Sequence, residues 1–159
     1  SMKLAKTIQL DVSDNNVFPF PAKTNEWAIT GTFSFVDTDP NEWSKKYTFA
    51  FQSSWMGLNS YGSSTFVQVT NLSINEYDSL IKSLAEHLIE KYHAPTLKDA
   101  MQASKNEIDD MIALCDHPTG TLLSIERSLV ENGIKERTRV INPSGGNYDK
   151  KVWYTPGND

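Results

Sequence analysis

The stretch SINEYDSLIKSLAEHLIEKYHAPTLKDAMQASKNEIDDMIALCDHPTGTLLSIERSLVENGIKERTRVI, residues 73–141, decides the fold. It opens on a capping box: the Ser73 side chain can accept from a free N–H of the first turn, and Glu76 can reach back to the Ser73 N–H. Behind it Tyr77, Leu80, Ile81, Leu84, Leu88 and Tyr92 recur at three- and four-residue steps, an apolar stripe with Lys82, Glu86, Glu90 and Lys91 largely opposite. His93-Ala94-Pro95 ends this helix, because a residue before proline is pushed out of the α region. Thr96 caps a second helix with Asp99 near the positive end of its dipole. Its stripe runs through Leu97, Ala100, Met101, Ser104, Ile108, Met111, Ile112 and Cys115. So short a link folds the two helices, residues 73–92 and 96–116, roughly antiparallel.

After a break at residues 116–120, two β-like runs flank Asn132-Gly133, a pair that tolerates the positive φ of a type I′ turn. A hairpin on that turn sets Ile125 opposite Val140 and Glu126 opposite Arg139. The same residues also fit a third helical stripe, Leu122, Ile125 and Leu129, closed by Gly133. The hairpin is preferred, since residues 134–141 are β-like and need a partner strand.

Working upstream, alternation predicts strands over residues 3–12, 27–36, 45–53 and 64–70, the third on Tyr47, Phe49 and Phe51. Residues 17–21, Val-Phe-Pro-Phe-Pro, cannot sit inside a central strand. Phe18 and Phe20 are expected to plug the end of the core, a rigid lip beside a ligand groove being the alternative. Residues 55–62, which begin with Trp55 and hold Tyr61, read as a loop. The sum is an α+β fold: a two-layer antiparallel sheet of about six strands with the two helices on one face. A single domain is expected over residues 3–142, and residues 143–159 as a partly flexible tail. Within it Tyr148, Val152, Trp153 and Tyr154 are too apolar for a free tail and are expected to add an edge strand or dock on a partner.

At 159 residues the chain can bury a sizeable core, and its 38% apolar and 11% aromatic content is that of a globular protein. A formal charge of −5 argues against a general nucleic-acid or anionic-membrane surface. One cysteine cannot close an internal disulfide, and neither a signal peptide nor a membrane-length apolar run is present, so a cytoplasmic protein is expected. Ser1, ahead of Met2, reads as a residue left by tag cleavage.

Chemistry has few footholds. In Cys115-Asp116-His117 a thiol sits beside an imidazole, but catalytic Cys and His normally meet from distant segments, and Cys115 lies on an apolar stripe. The three histidines, His87, His93 and His117, fall where antiparallel helices keep them from one site, and no metal-ligand spacing occurs. No phosphate loop, dinucleotide fingerprint or nucleophile elbow is present. Neither a catalytic set, a metal nor a cofactor is therefore expected. Arg127, Arg137 and Arg139 with Lys135 suggest a basic patch on the hairpin, which cross-strand pairing would also explain. The loop aromatics Phe18, Phe20, Trp43, Trp55, Tyr61 and Trp153 are of the type enriched at interfaces.

The runs LDVSDNNVFPF (residues 10–20), EWAITGTFSFVD (26–37), residues 51–66 and LCDHPTGTLLSIERSLVENGIKERTRV (114–140) resemble a small uncharacterised alphaproteobacterial family. The resemblance spans about residues 3–141. Its members carry a domain-of-unknown-function label, so it implies no activity and no catalytic residues. The expectation is an accessory or binding module, non-enzymatic, that engages a protein partner or a second copy through its loop aromatics and hairpin. The alternative is a small-molecule-binding protein or small enzyme with a pocket near Trp55, Tyr61, Cys115 and His117. Trp55, Tyr61, Cys115, His117, Arg137 and Trp153 are the candidate binding residues.

Overall fold

Ser73 and Thr96 cap the two long helices as the sequence requires. The computed structural model describes residues 2–10 and 14–141. In it the Ser73 hydroxyl accepts from the Glu76 N–H at 3.1 Å and the Glu76 carboxylate accepts from the Ser73 N–H at 2.9 Å. The helix so begun, α3 (Ile74–Tyr92), ends at His93 with φ 58°. Thr96 accepts from the Asp99 N–H at 3.0 Å and starts α4 (Leu97–Leu114). Tyr77 donates to Asp109 at 2.6 Å and braces the pair.

Two shorter helices precede them, α1 (Asp14–Val17) and α2 (Lys45–Ser53). The strands are β1 (Met2–Ile8), β2 (Trp27–Ile29), β3 (Trp55–Gly57), β4 (Ser63–Ser64), β5 (Phe66–Leu72), β6 (Leu122–Val130) and β7 (Gly133–Ile141). They form one sheet in the order β4-β3-β2-β1-β5-β6-β7, antiparallel throughout. The α+β class stands, with seven strands where about six were expected.

Four local expectations are corrected. The strand over residues 27–36 stops at Ile29, because Gly31 turns to φ 75° and residues 32–35 coil into a 3-10 turn. A Cβ at Gly31 would stand 2.5 Å from Met56 Cβ, so only glycine fits this approach. Residues 45–53 are helical: Ser44 caps them by accepting from the Tyr47 N–H at 3.0 Å. Their inward set is Tyr47, Ala50 and Phe51, an i, i+3, i+4 stripe. The strand at 64–70 divides into β4 and β5, and the loop at 55–62 contributes β3.

The hairpin forms, which removes the third-helix alternative, but its register differs. Val130 pairs with Gly133, so the turn is Glu131-Asn132, with Asn132 supplying the positive φ of 68°. Ile125 then faces Thr138 and Glu126 faces Arg137. The partner shift is two residues, and the side-chain period of a strand is also two, so every residue keeps the expected face.

Two apolar clusters fill the interior. The larger joins Ile81, Leu84 and Leu88 of α3 and Ile108 and Met111 of α4 to Leu4, Ile29, Val67, Val69, Leu123 and Ile125 of the sheet. α4 comes close to β1 and β2, where Ala5 and Ala28 sit opposite each other and leave room. The smaller cluster is aromatic: Phe18, Phe35 and Phe51 with Ala50, flanked by Trp43 and Tyr47. Phe35 meets Tyr47 and Phe51 edge-on at 5.4 and 5.3 Å.

Arg127 ties the aromatic cluster to the sheet. Instead of joining a surface basic patch it is buried, in phase with Leu123 and Ile125 along β6. Its guanidinium donates to the carbonyls of Thr30 and Phe51, to the latter at 2.8 Å, and to the Thr32 hydroxyl at 2.7 Å. Phe51 is in the last turn of α2, whose carbonyls lack intrahelical donors, so Arg127 serves as a cation at that helix end. Burial lowers its pKa to about 10, partly offset by Glu136 at 3.9 Å, and it stays charged at neutral pH.

Candidate functional site

A cavity of about 230 Å³ opens where the short elements converge. Its walls come from separate segments: Phe20, Gly31 and Phe35, Tyr47 of α2, Trp55 and Met56 of β3, Tyr61, and Tyr92 at the end of α3. The lining is mostly apolar and aromatic, with Ser34, Ser54 and Ser63 as small polar groups.

The proline-fixed segment divides its two rings. Phe18 is buried in the aromatic cluster at 2% exposure, whereas Phe20 stands 78% exposed at the cavity. Leaving such a ring in water forgoes about 1.5–3 kcal/mol of burial. Backbone bonds nevertheless hold it there: Ser63 N–H donates to the Phe20 carbonyl at 2.7 Å and Ala22 N–H to the Ser63 carbonyl at 2.8 Å. The approach is tight, since a Cβ on Gly62 would lie 2.8 Å from the Phe20 carbonyl oxygen and the Ala22 nitrogen. Phe18 thus plugs the core as expected, and Phe20 takes the place of the alternative lip.

Opposite this segment, Tyr61 sits at φ 59° and stacks on His87 with ring centroids 3.5 Å apart and planes 1° from parallel. His87 meets Tyr92 edge-on at 5.6 Å, and Tyr92 meets Phe33 in the same way at 5.2 Å. Burial raises the Tyr61 pKa, with the charges of Glu86 and Glu26 adding to it. Burial lowers that of His87, with Glu90 opposing and Lys91 reinforcing the shift.

The loop carrying Tyr61 is anchored by a buried carboxylate that sequence reasoning missed. Glu26 accepts from the N–H groups of Lys23 at 2.7 Å, Asn59 at 3.0 Å and Ser60 at 2.7 Å, and from the Ser60 hydroxyl at 2.7 Å. Burial by itself would raise its pKa, but the Ser60, Lys23 and Asn59 bonds outweigh it and hold the group below its ordinary range. Gly57 keeps the space free, since a Cβ there would stand 2.5 Å from the Glu26 carboxylate. An acid just before a Trp-led strand was the sequence signal; its partners Asn59 and Ser60 lie more than thirty residues away.

Of the six candidate residues, the structure brings Trp55 and Tyr61 together at this cavity. Cys115 and His117 are not in its lining. The Cys115 thiol is fully buried in the main core, and burial pushes its pKa up to about 12, far from thiolate formation at neutral pH. The His117 carbonyl accepts from Lys3 Nζ at 2.9 Å beyond the end of α4. Arg137 pairs across the hairpin with Glu126 at 3.1 Å. Trp153 lies outside the described residues. Among the described residues no three His, Cys, Asp or Glu side chains are grouped to hold a metal ion, and no helix is long and apolar enough to cross a membrane.

Residues 2–154 match a family described as "Family of unknown function (DUF6505)". Neither a curated protein nor a solved structure matches the chain.

Proposed function

The chain belongs to this family of unknown function, and we propose that it is a cytoplasmic, non-enzymatic binding module that takes an apolar or aromatic side chain of a protein partner into the cavity between Phe20 and Tyr61. The observation that carries this reading is Phe20: a ring 78% exposed, pinned by backbone bonds at the rim of an aromatic hollow. A buried anchor ringed by aromatic groups is how protein interfaces concentrate their energy. The volume, about 230 Å³, is below the roughly 300–1,000 Å³ of sites for drug-sized ligands and suits a single anchoring side chain. A reducing compartment suits a chain whose one cysteine is buried as a free thiol.

One observation favours a second reading. The indole N–H of Trp55, a residue of the cavity wall, has no hydrogen-bond acceptor among the described residues, which suits a small ligand bearing one. Native mass spectrometry of protein purified without additives separates the two. A mass excess lost on denaturation supports the small ligand, and a clean polypeptide mass supports the protein partner. The protein reading further expects Phe20→Ser to abolish recovery of a partner that the wild-type chain and an exposed control, Val140→Ser, both retain. Equal recovery by Phe20→Ser would overturn it.

A further inference from the structure

A second and larger hollow lies at the tip of the hairpin. It has a volume of about 670 Å³ and runs between Leu129, Val130 and Ile134 on one side and Phe35, Val36 and Trp43 on the other. Leu129 continues the face of β6 that Leu123, Ile125 and Arg127 turn inward, and it stands opposite Ile134 in the hairpin register. The hairpin thus carries its apolar face beyond the end of the core. Val36, Leu129 and Val130 are left 63%, 50% and 48% exposed, an aliphatic patch beside an aromatic floor of the kind that marks interaction sites.

The rim of this groove carries charge of one sign. Asp37 stands between the lining residues Val36 and Thr38, Asp39 between Thr38 and Pro40, and Glu131 between Val130 and Asn132, while Glu42 adjoins Trp43. All four acids are exposed, and none of them is in an ion pair among the described residues. Nearby cations do little to offset them. Arg127 is buried against the Phe35 ring, Lys45 lies over the Phe49 ring, and Lys135, next to Ile134, falls on the opposite face of β7. Lys46, exposed in the first turn of α2, is outnumbered.

We propose that this groove docks a basic, amphipathic segment of a protein partner. Its aliphatic side chains seat between Leu129 and Val36, and its lysines or arginines meet the acidic rim. A second copy seated groove to groove would set the acids of one chain against those of the other, an arrangement that like charges oppose. The same rim turns away anionic lipid headgroups and nucleic-acid phosphates. The groove is a separate surface from the Phe20 cavity, and its docking role does not depend on what that cavity takes.

Fluorescence anisotropy on the full chain tests this with two labelled peptides, one of leucine and lysine in equal parts and one of leucine and glutamate. The lysine peptide should bind and the glutamate peptide should not. Asp37→Lys with Glu131→Lys should weaken the lysine peptide about tenfold or more, and Val36→Ser with Leu129→Ser should do the same. Asp78→Lys with Glu90→Lys, an equal charge change at exposed positions of α3, should keep binding within about twofold. All these side chains are exposed, so the substitutions spare the core. Equal weakening by the α3 variant would reduce the binding to net charge and overturn the proposal. Equal binding of the two peptides would overturn it too, as would binding of neither, which leaves the groove to a second copy or to the chain itself.

Discussion

The main core and the aromatic cluster adjoin at α2 and β6, yet they are filled by different chemistry. In the main core, aliphatic side chains from two long helices and the central strands interdigitate, and the packing forces are non-directional. In the smaller cluster Phe35 meets Trp43, Tyr47 and Phe51 edge-on, with Phe18 buried in the same group, among a 3-10 turn, a short helix and a loop. Its elements are too short to stabilise themselves, so a buried arginine and side-chain caps fix them. Two hollows border the aromatic region, one under Phe20 and one at the hairpin tip, Phe35 lining each of them. The difference teaches where this chain leaves hollows open: at the assembly of short elements, with the periodic core as its platform.

Breaking the platform should have the largest effect. Ile108 is fully buried between α4 and the sheet, so Ile108→Ala removes buried methylenes and leaves a void. The expected loss is about 2–5 kcal/mol in chemical denaturation. A loss under about 1 kcal/mol would mean that the aliphatic core collapses around the change and is not the rigid partner in the comparison.

The joint between the regions comes next. Arg127→Met keeps the volume but withdraws the donors to Thr30, Thr32 and Phe51. Leaving buried carbonyls unsatisfied should cost on the order of 2 kcal/mol. The loss should be accompanied by weaker near-UV circular dichroism from the aromatic cluster, with helix content kept. Undiminished stability would show the arginine to be replaceable by apolar packing, as some buried charges are.

The same division governs what the sequence disclosed. Ser73, Glu76 and Thr96 with their stripes gave α3 and α4 nearly to the residue, because period and cap agree. Residues 45–53 misled because Tyr47, Phe49 and Phe51 alternate like a strand, while Tyr47, Ala50 and Phe51 are also a helical stripe. The Ser44 cap was the deciding signal. Arg127 could have been placed by its phase with Leu123 and Ile125, which overrides the rule that charges face water. Trp55 and Tyr61 were legible as interface types, but their meeting with Phe20 and Tyr92 was not. That cavity is built from segments far apart in the chain, and the carboxylate that steadies one wall, Glu26, gives no periodic sign.

The smallest expected effect lies at the wall of the Phe20 cavity, in the stack of Tyr61 on His87. Burial lowers the His87 pKa below its ordinary 6.5, so the folded state prefers the neutral imidazole. Below about pH 6.5 the unfolded chain therefore binds more protons than the folded one, and stability falls as pH drops through that range. The decline should level off once the pH passes the lowered folded value. Melting temperatures between pH 7.5 and 5.5 should show this for the wild type and a flatter profile for His87→Phe, which retains a ring for Tyr61 but cannot titrate. Glu26 contributes with the same sign, but its response sets in around its ordinary 4.5, whereas that of His87 sets in around 6.5. Wild-type and His87→Phe profiles that run parallel would detach His87 from the stability of the cavity wall. The Tyr61 loop would then draw its pH dependence from the Glu26 carboxylate, with the Gly57–Gly62 backbone bond holding it at any pH.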